Sequence, residues 1–258
     1  MTLGDTCHRF EHIIKYHGRV IAVILSHVTT GNITIVCSHA KSNGDLLRVL
    51  KHGVVTVAHT EENKAVNMHG SVWRFVERQV WPQVLSFLNS KITQGHITQS
   101  EIPVRVNLLG MSMGGMILQI LAFRLSQEFT PHQLLITSPV LMLATPRVAN
   151  EQFYEFMAKR NIYFINVSCS QQHEKGLTLD PVVTLGSKTK LVSSPVYVGV
   201  HGIHGHTGIY GVDPHTLSWK MTTLPFLLKY KHLHSRHMYQ SSLNAVLNNY
   251  NSPNSCNV

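Results

Sequence analysis

Short apolar runs along the chain follow two different spacings. Alternating or continuous apolar residues predict strands at 19–27, 33–38, 54–58, 104–109, 140–144, 163–168 and 196–200. Apolar residues three and four apart predict helices at 71–91, where Pro82 kinks or restarts the helix, and at 115–127, 151–159 and 241–249. Strands that alternate with helices indicate an α/β fold with a mostly parallel central sheet flanked by helices.

One strand and one helix enclose a Gly-x-Ser-x-Gly turn at residues 110–114. This context is typical of a nucleophilic serine, because the tight turn exposes the hydroxyl at the end of the strand. Ser112 is therefore the predicted nucleophile. Gly110 and Gly114 meet the need for very small neighbours, and Gly115 lets the helix start close to the sheet. The backbone N–H of Met113, at the helix N-terminus, is predicted to point at a developing oxyanion.

The same stretch is long and apolar enough over 106–125 to raise the alternative of a membrane span. Asn107, Gln119 and Arg124 make that alternative unfavourable, since polar and charged groups are costly in lipid. The first apolar run, at 20–25, comes late and has no small-residue cleavage site after it, so it is interpreted as a strand. We expect an intracellular protein on these grounds.

Composition fits one compact domain, predicted over residues 1–247, with a polar tail at 248–258. The four cysteines lie far apart, which favours reduced thiols. The formal net charge is +9, and it favours contact with anionic surfaces, including acidic phospholipids. Because the basic residues are scattered, no nucleic-acid module is expected.

A serine nucleophile needs a histidine base and an acid that orients it, in the chain order serine, acid, histidine for this kind of fold. Only two aspartates follow Ser112, namely Asp180 and Asp213. Asp180 is favoured because it follows the predicted strand 163–168 and a loop, and Asp213 is the second choice. Seven histidines follow Asp180, and composition alone does not choose among them.

Three of those histidines are closely spaced in His201-Gly-Ile-His-Gly-His206. Such spacing raises the hypothesis of a zinc or nickel site. The adjacent glycines, the absence of a nearby acid or cysteine and the histidine-rich composition argue against it. We therefore expect no metal and no other cofactor.

Several blocks together are similar to the class 3 lipases, the fungal-lipase-like branch of the α/β-hydrolases. Leu109-Gly-Met-Ser-Met-Gly-Gly115 resembles the family's Gly-His-Ser-Leu-Gly-Gly. Leu143-Ala-Thr-Pro-Arg-Val-Ala-Asn-Glu-Gln-Phe153 resembles the block Phe-Gly-Ser-Pro-Arg-Val-Gly-Asn, which is the more specific match. Further similarities are Val66-Asn-Met-His-Gly70, Ile165-Asn-Val167 with Asp180-Pro-Val182, and His234-Ser-Arg-His-Met-Tyr239.

The resemblance implies an α/β-hydrolase fold and a Ser-Asp-His triad. By position, Asp180 is the acid, His234 is the base, and Tyr239 packs beside the base. His237 is the alternative base. The family's oxyanion block, Phe-Arg-Gly-Thr, corresponds to Cys37-Ser-His-Ala40, where Ala40 offers a backbone N–H but no hydroxyl.

The function that this resemblance implies is hydrolysis of lipid esters, either acylglycerols or phospholipids, through an acyl-enzyme on Ser112. The altered oxyanion block supports an alternative: a weakly active or inactive protein of the same fold that binds lipid or a protein partner. Peripheral contact with anionic membrane surfaces fits either case, given the basic charge.

Overall fold

The structure, a computed structural model, describes residues 8–37, 53–97, 102–173, 176–179, 196–203, 206–211 and 240. These residues contain twelve strands and four α-helices. The strands are β1 (His8–Tyr16), β2 (Arg19–His27), β3 (Ile33–Cys37), β4 (Val54–His59), β5 (Ala65–His69), β6 (Val104–Met111), β7 (Leu134–Ile136), β8 (Val140–Leu143), β9 (Phe164–His173), β10 (Gly176–Leu179), β11 (Val196–Ile203) and β12 (His206–Gly211). The helices are α1 (Gly70–Phe75), α2 (Trp81–Ile97), α3 (Met113–Glu128) and α4 (Glu151–Ala158).

Ten strands form one mixed sheet, with the main order β1-β2-β3-β6-β8-β9-β11-β12. Its middle is parallel, because β3, β6, β8, β9 and β11 run in the same direction. The margins are antiparallel, at β1–β2–β3 and at β11–β12. The α/β-hydrolase-like fold with a mostly parallel central sheet flanked by helices is thus confirmed.

Strands β7 and β8 both pair with β6, β7 at Val104–Val106 and β8 at Leu109–Met111. They are two pieces of one interrupted strand. Pro139 lies between them, and a proline cannot donate a hydrogen bond to a neighbouring strand. Strands β4 and β5 form a separate two-stranded sheet.

Helix α3 lies at the centre of the core. It packs on β3, β6 and β8 of the sheet, and α1 packs on its other side, where the rings of Trp73 and Phe123 meet edge to face. Eleven of its residues are buried, as the nearly continuous apolar sequence predicts for a buried helix. The described part of the chain contains no helix long and apolar enough to cross a membrane. The membrane-span alternative at 106–125 fails, because this stretch divides between β6 and α3.

The helix predicted at 71–91 is longer and is interrupted earlier than expected. A π-helical turn at Val76–Val80 separates α1 from α2, so the irregularity precedes Pro82. Pro82 has no N–H and its ring would clash with the carbonyl four residues earlier in a regular helix. A wider turn before the proline avoids that contact.

Candidate functional site

Ser112 lies at the junction of β6 and α3, at the carboxyl edge of the parallel strands. Its backbone has φ 55° and ψ −123°, a combination that costs a residue with a side chain about 1–3 kcal/mol. Backbone hydrogen bonds hold it there. Its N–H donates to the Leu143 carbonyl at 2.8 Å, and its own carbonyl accepts from the Gly115 N–H at 3.0 Å. The predicted strand–turn–helix geometry around Ser112 is confirmed.

The turn leaves no room for side chains on two of its glycines. A Cβ on Gly110 would lie 2.8 Å from backbone atoms of Gly114. A Cβ on Gly115 would overlap Oγ1 of Thr145, which follows β8. Gly115 therefore brings the first turn of α3 against the segment after β8, as the sequence predicts.

The N-terminus of α3 is electrostatically suited to an anion. Its first turn contains no acidic residue. The first N–H groups of a helix have no acceptors within the helix and carry partial positive charge. Met113 is the first residue of α3, so its N–H belongs to this group.

A buried polar cluster surrounds the end of β8. Ser112, Thr145, Asn166 and Ser168 are all at most 2% exposed. The side chain of Asn166 makes two hydrogen bonds with the backbone of Thr145, accepting from its N–H at 3.1 Å and donating to its carbonyl at 2.8 Å. Thr145 also contacts Gly115. The two hydrogen bonds with Asn166 therefore fix the position of the segment against which the Ser112 turn packs. Sequence reasoning did not predict this role for Thr145 and Asn166.

A second asparagine joins two sequence-distant blocks. Asn150 accepts from the N–H groups of Phe153, at the start of α4, and of Asn67 on β5, and it donates to the Ala65 carbonyl at 2.8 Å. In addition, the His69 N–H donates to the Val148 carbonyl at 2.8 Å. The Pro-Arg-Val-Ala-Asn block is thus a structural connection between α4 and the β4–β5 hairpin. A polar residue just before a predicted helix indicates an N-cap, so the capping role of Asn150 could be predicted from the sequence. Its hydrogen bonds to β5 could not.

Strand β3 ends beside the turn. Cys37, its last residue, pairs with Gly110 on β6. Cys37 is buried, and burial raises the pKa of its thiol far above the usual range, so the thiol stays protonated. Ala40, the predicted oxyanion donor three residues later, lies outside the described residues.

The predicted acid follows a hairpin rather than a loop. Strand β9 continues to His173 and turns back as β10, in which Leu179 pairs with Ser170. Asp180 comes directly after Leu179 but lies outside the described residues, as do Asp213, His234, His237 and Tyr239. The structure therefore describes Ser112 and Met113 among the predicted site residues and leaves the assignment of the acid and the bases as predictions.

His201 and His206 lie on the antiparallel strands β11 and β12, in which His201 pairs with Gly208 and His206 pairs with Ile203, whereas His204 lies outside the described residues. Within the described ranges, no group of three or more metal-binding side chains comes together.

A cleft of about 580 Å³ lies between the β4–β5 hairpin and α4, away from the Ser112 turn. Charged side chains of both signs line it, and two ion pairs lie among them, Lys159 with Glu61 at 3.1 Å and Lys64 with Glu62 at 2.6 Å. Such a lining does not suit an apolar acyl chain.

No protein-family model matches the chain, and no curated protein sequence does. Solved structures match across most of its length. A lipase from Rhizopus microsporus var. chinensis has a TM-score of 0.53 and 14% identity, over 85% of this chain and 71% of that one. The triacylglyceride lipase of Rhizomucor miehei has a TM-score of 0.55 and 13% identity, over 85% and 77%. A triacylglycerol lipase whose catalytic centre is a serine protease triad has the same score and identity, over 87% and 79%. The chain has the fold of these fungal lipases.

Proposed function

We propose that the chain is a serine hydrolase of lipid carboxylic esters, acylglycerols or phospholipids, acting through Ser112, Asp180 and His234. The observation that carries the proposal is the strained backbone of Ser112 at a strand–helix turn. A fold maintains a strain of this kind when its surroundings enforce it, and such strain concentrates at functional sites. The fungal lipases that share the fold are named for the same class of reaction.

In the proposed mechanism, Ser112 Oγ attacks the ester carbonyl while His234 takes its proton, and Asp180 orients the imidazole. The N–H groups of Met113 and Ala40 stabilise the oxyanion of the tetrahedral intermediate. That intermediate collapses to an acyl-enzyme as His234 protonates the departing alcohol. Water, activated by His234, then releases the fatty acid and restores Ser112.

Two features of the described residues support this arrangement at the carboxyl edge of the sheet. Cys37 is level with Gly110, so the segment that leads to Ala40 starts beside the Ser112 turn. Strand β9 is two positions from β6 in the sheet, and the β9–β10 hairpin ends one residue before Asp180. Ligand sites in open α/β sheets lie at this edge of the strands.

A second candidate function is lipid or partner binding with little catalysis. It is favoured by the burial of Ser112, which is only 1% exposed, and by Ala40 in place of a hydroxyl-bearing oxyanion donor. The loss of one donor costs about 2.7–4 kcal/mol in the transition state.

The test is hydrolysis of activated esters of graded chain length by wild type, by Ser112→Ala and by a matched control, Ser90→Ala, at an exposed serine on α2. We expect Ser112→Ala to lower kcat/KM by at least about 10³-fold, and Ser90→Ala to have no effect. Equal rates for wild type and Ser112→Ala would refute the serine mechanism.

Labelling with a fluorophosphonate separates the two candidates. A reactive nucleophile gives complete labelling that maps to Ser112 and disappears in Ser112→Ala, whereas absence of labelling supports the binding function. Single substitutions then test the partners: Asp180→Asn against Asp213→Asn, and His234→Ala against His237→Ala. We expect the large losses of kcat/KM in Asp180→Asn and His234→Ala.

A further inference from the structure

The turn between β1 and β2 lies at the same edge of the sheet as Ser112. Ala22 on β2 is level with Cys37 on β3, which is level with Gly110 on β6. Residues 16–20 continue past that level, because β2 runs antiparallel to β3. At about 3.3 Å per residue, Arg19 lies about 10 Å beyond Gly110 along the strands, and Ser112 lies about 7 Å beyond it.

The lateral distance is also short. Two strand spacings separate β2 from β6, which is about 10 Å. A flat surface that touches the β1–β2 turn would therefore face the edge that contains Ser112.

This turn is tight and well defined. His17 and Gly18 both have positive φ, 47° and 73°, and form the two-residue connection between the paired residues Tyr16 and Arg19. Positive φ at both positions is the conformation of the turns that best match the twist of two paired strands. Tyr16 is further held by an edge-to-face contact with the Phe75 ring on α1, with centroids 5.1 Å apart.

The side chains of the turn combine apolar and basic groups. Ile13, Tyr16 and Val20 are between 38% and 43% exposed, and Lys15 and Arg19 are exposed beside them. There is no acidic residue from 12 to 44. The one acid of the hairpin, Glu11, lies towards its other end and is bonded to Arg9, Ser26 and Lys91. The turn thus presents the basic side chains of Lys15 and Arg19.

We propose that the β1–β2 turn (Lys15, Tyr16, Arg19 and Val20) is a docking surface for anionic phospholipid membranes. Basic side chains attract such a surface, and exposed tyrosine and valine enter its interfacial layer. A second copy of the chain fits this hairpin less well. Strand β1 has two register shifts, and its lysine and histidines discourage pairing of sheet edges.

The inference extends the proposed function, because docking there turns the Ser112 edge towards the lipid. It can be tested without catalysis, using Ser112→Ala protein throughout. The measurement is co-sedimentation with vesicles of phosphatidylcholine alone and of phosphatidylcholine with phosphatidylserine in a three-to-one ratio, at low and high salt. We expect binding to the anionic vesicles only, and weaker binding at high salt.

Two variants change the turn, and each has a matched control. Lys15→Gln with Arg19→Gln should weaken binding about 30-fold, at about fivefold per basic residue. Arg105→Gln with Arg160→Gln removes the same charge at exposed positions elsewhere and should bind nearly as wild type. Val20→Ser should weaken binding about 3- to 10-fold. Phe10 and Val28 lie at the other end of the hairpin and are more exposed than Val20, so Phe10→Ser with Val28→Ser should not weaken binding.

Several outcomes would overturn the proposal. These are no binding of the parent protein to anionic vesicles, equal binding to neutral ones, or equal losses in the turn variants and their controls. A thermal unfolding curve for each variant shows that it is folded. With Ser112 restored, turn variants should keep full activity on a soluble ester and lose activity on vesicles. Turn-dependent binding without any ester hydrolysis would support the docking surface and contradict the proposed function.

Discussion

At the scale of the residue, the backbone of the Ser112 turn depends on two positions that have no space for a side chain. Gly110 and Gly115 are required because backbone and side-chain atoms occupy the positions where their Cβ atoms would lie. Since the motif, the strand before it and the helix after it are contiguous in sequence, Ser112 could be predicted from the sequence. The role of Thr145 could not, because it meets Gly115 only when β8 pairs with β6.

We expect Gly115→Ala to destabilise the protein by about 1–3 kcal/mol or more, since overpacking forces backbone and side chains to shift. The new Cβ would overlap Thr145 Oγ1, which is held by the Asn166 amide pair on its backbone. Urea unfolding measures the change. The matched control is Gly53→Ala, where a Cβ meets nothing within 4 Å. Equal effects at the two glycines would contradict the packing argument.

At the scale of the element, strands with regular apolar patterns were predictable, and β2, β3, β4, β6, β8, β9 and β11 all lie where the pattern places them. Physical reasons account for three of the five strands that were not predicted. Strand β7 has three residues, and β5 has five with a central asparagine. Strand β1 is an edge strand whose residues are mostly exposed, so that its sequence is not constrained to alternate.

An ion-pair network attaches β1 to the molecule. Glu11 accepts from Ser26 at 2.5 Å on β2, from Arg9 at 2.6 Å and from Lys91 on α2 at 3.1 Å. The bond from Ser26, then that from Arg9, and then the Lys91 ammonium lower the pKa of Glu11 from 4.5 to about 2. Ionised Glu11 therefore stabilises the folded state above pH 4.5, and this contribution is lost as the pH falls from 4.5 to about 2.

Glu11→Gln should accordingly lower the free energy of unfolding by about 2 kcal/mol at neutral pH. The difference between variant and wild type should shrink as the pH falls from 4.5 towards 2 and should approach zero below pH 2, where the Glu11 side chain is mostly protonated. Denaturant unfolding at a series of pH values measures it. Glu61→Gln, whose carboxylate is mostly exposed in its ion pair with Lys159, should change stability little at any pH. A difference for Glu11→Gln that does not vary with pH would contradict the role of its charge.

At the scale of the whole molecule, the order of the strands predicts a gradient of local stability. Strands β3 and β6 are paired on both sides, β6 also contacts the buried helix α3, and among the described strands β1 is paired only with β2. Segments with few buried contacts open without global unfolding. Native-state hydrogen exchange should therefore show the amides of β3 and β6 opening only with global unfolding, and those of β1 opening at a lower free energy.

Gly115→Ala and Glu11→Gln distinguish the local opening of β1 from global unfolding. When β1 detaches, Gly115 stays packed against Thr145, so Gly115→Ala should lower the global free energy of opening and leave that of β1 unchanged. Glu11 loses its partners both when β1 detaches and when the protein unfolds, so Glu11→Gln should lower both free energies by the same amount. Exchange rates of individual amides in the two variants measure this. Equal shifts in β1 for both variants would mean that β1 does not open on its own, and that the hairpin and the Ser112 turn belong to one cooperative unit.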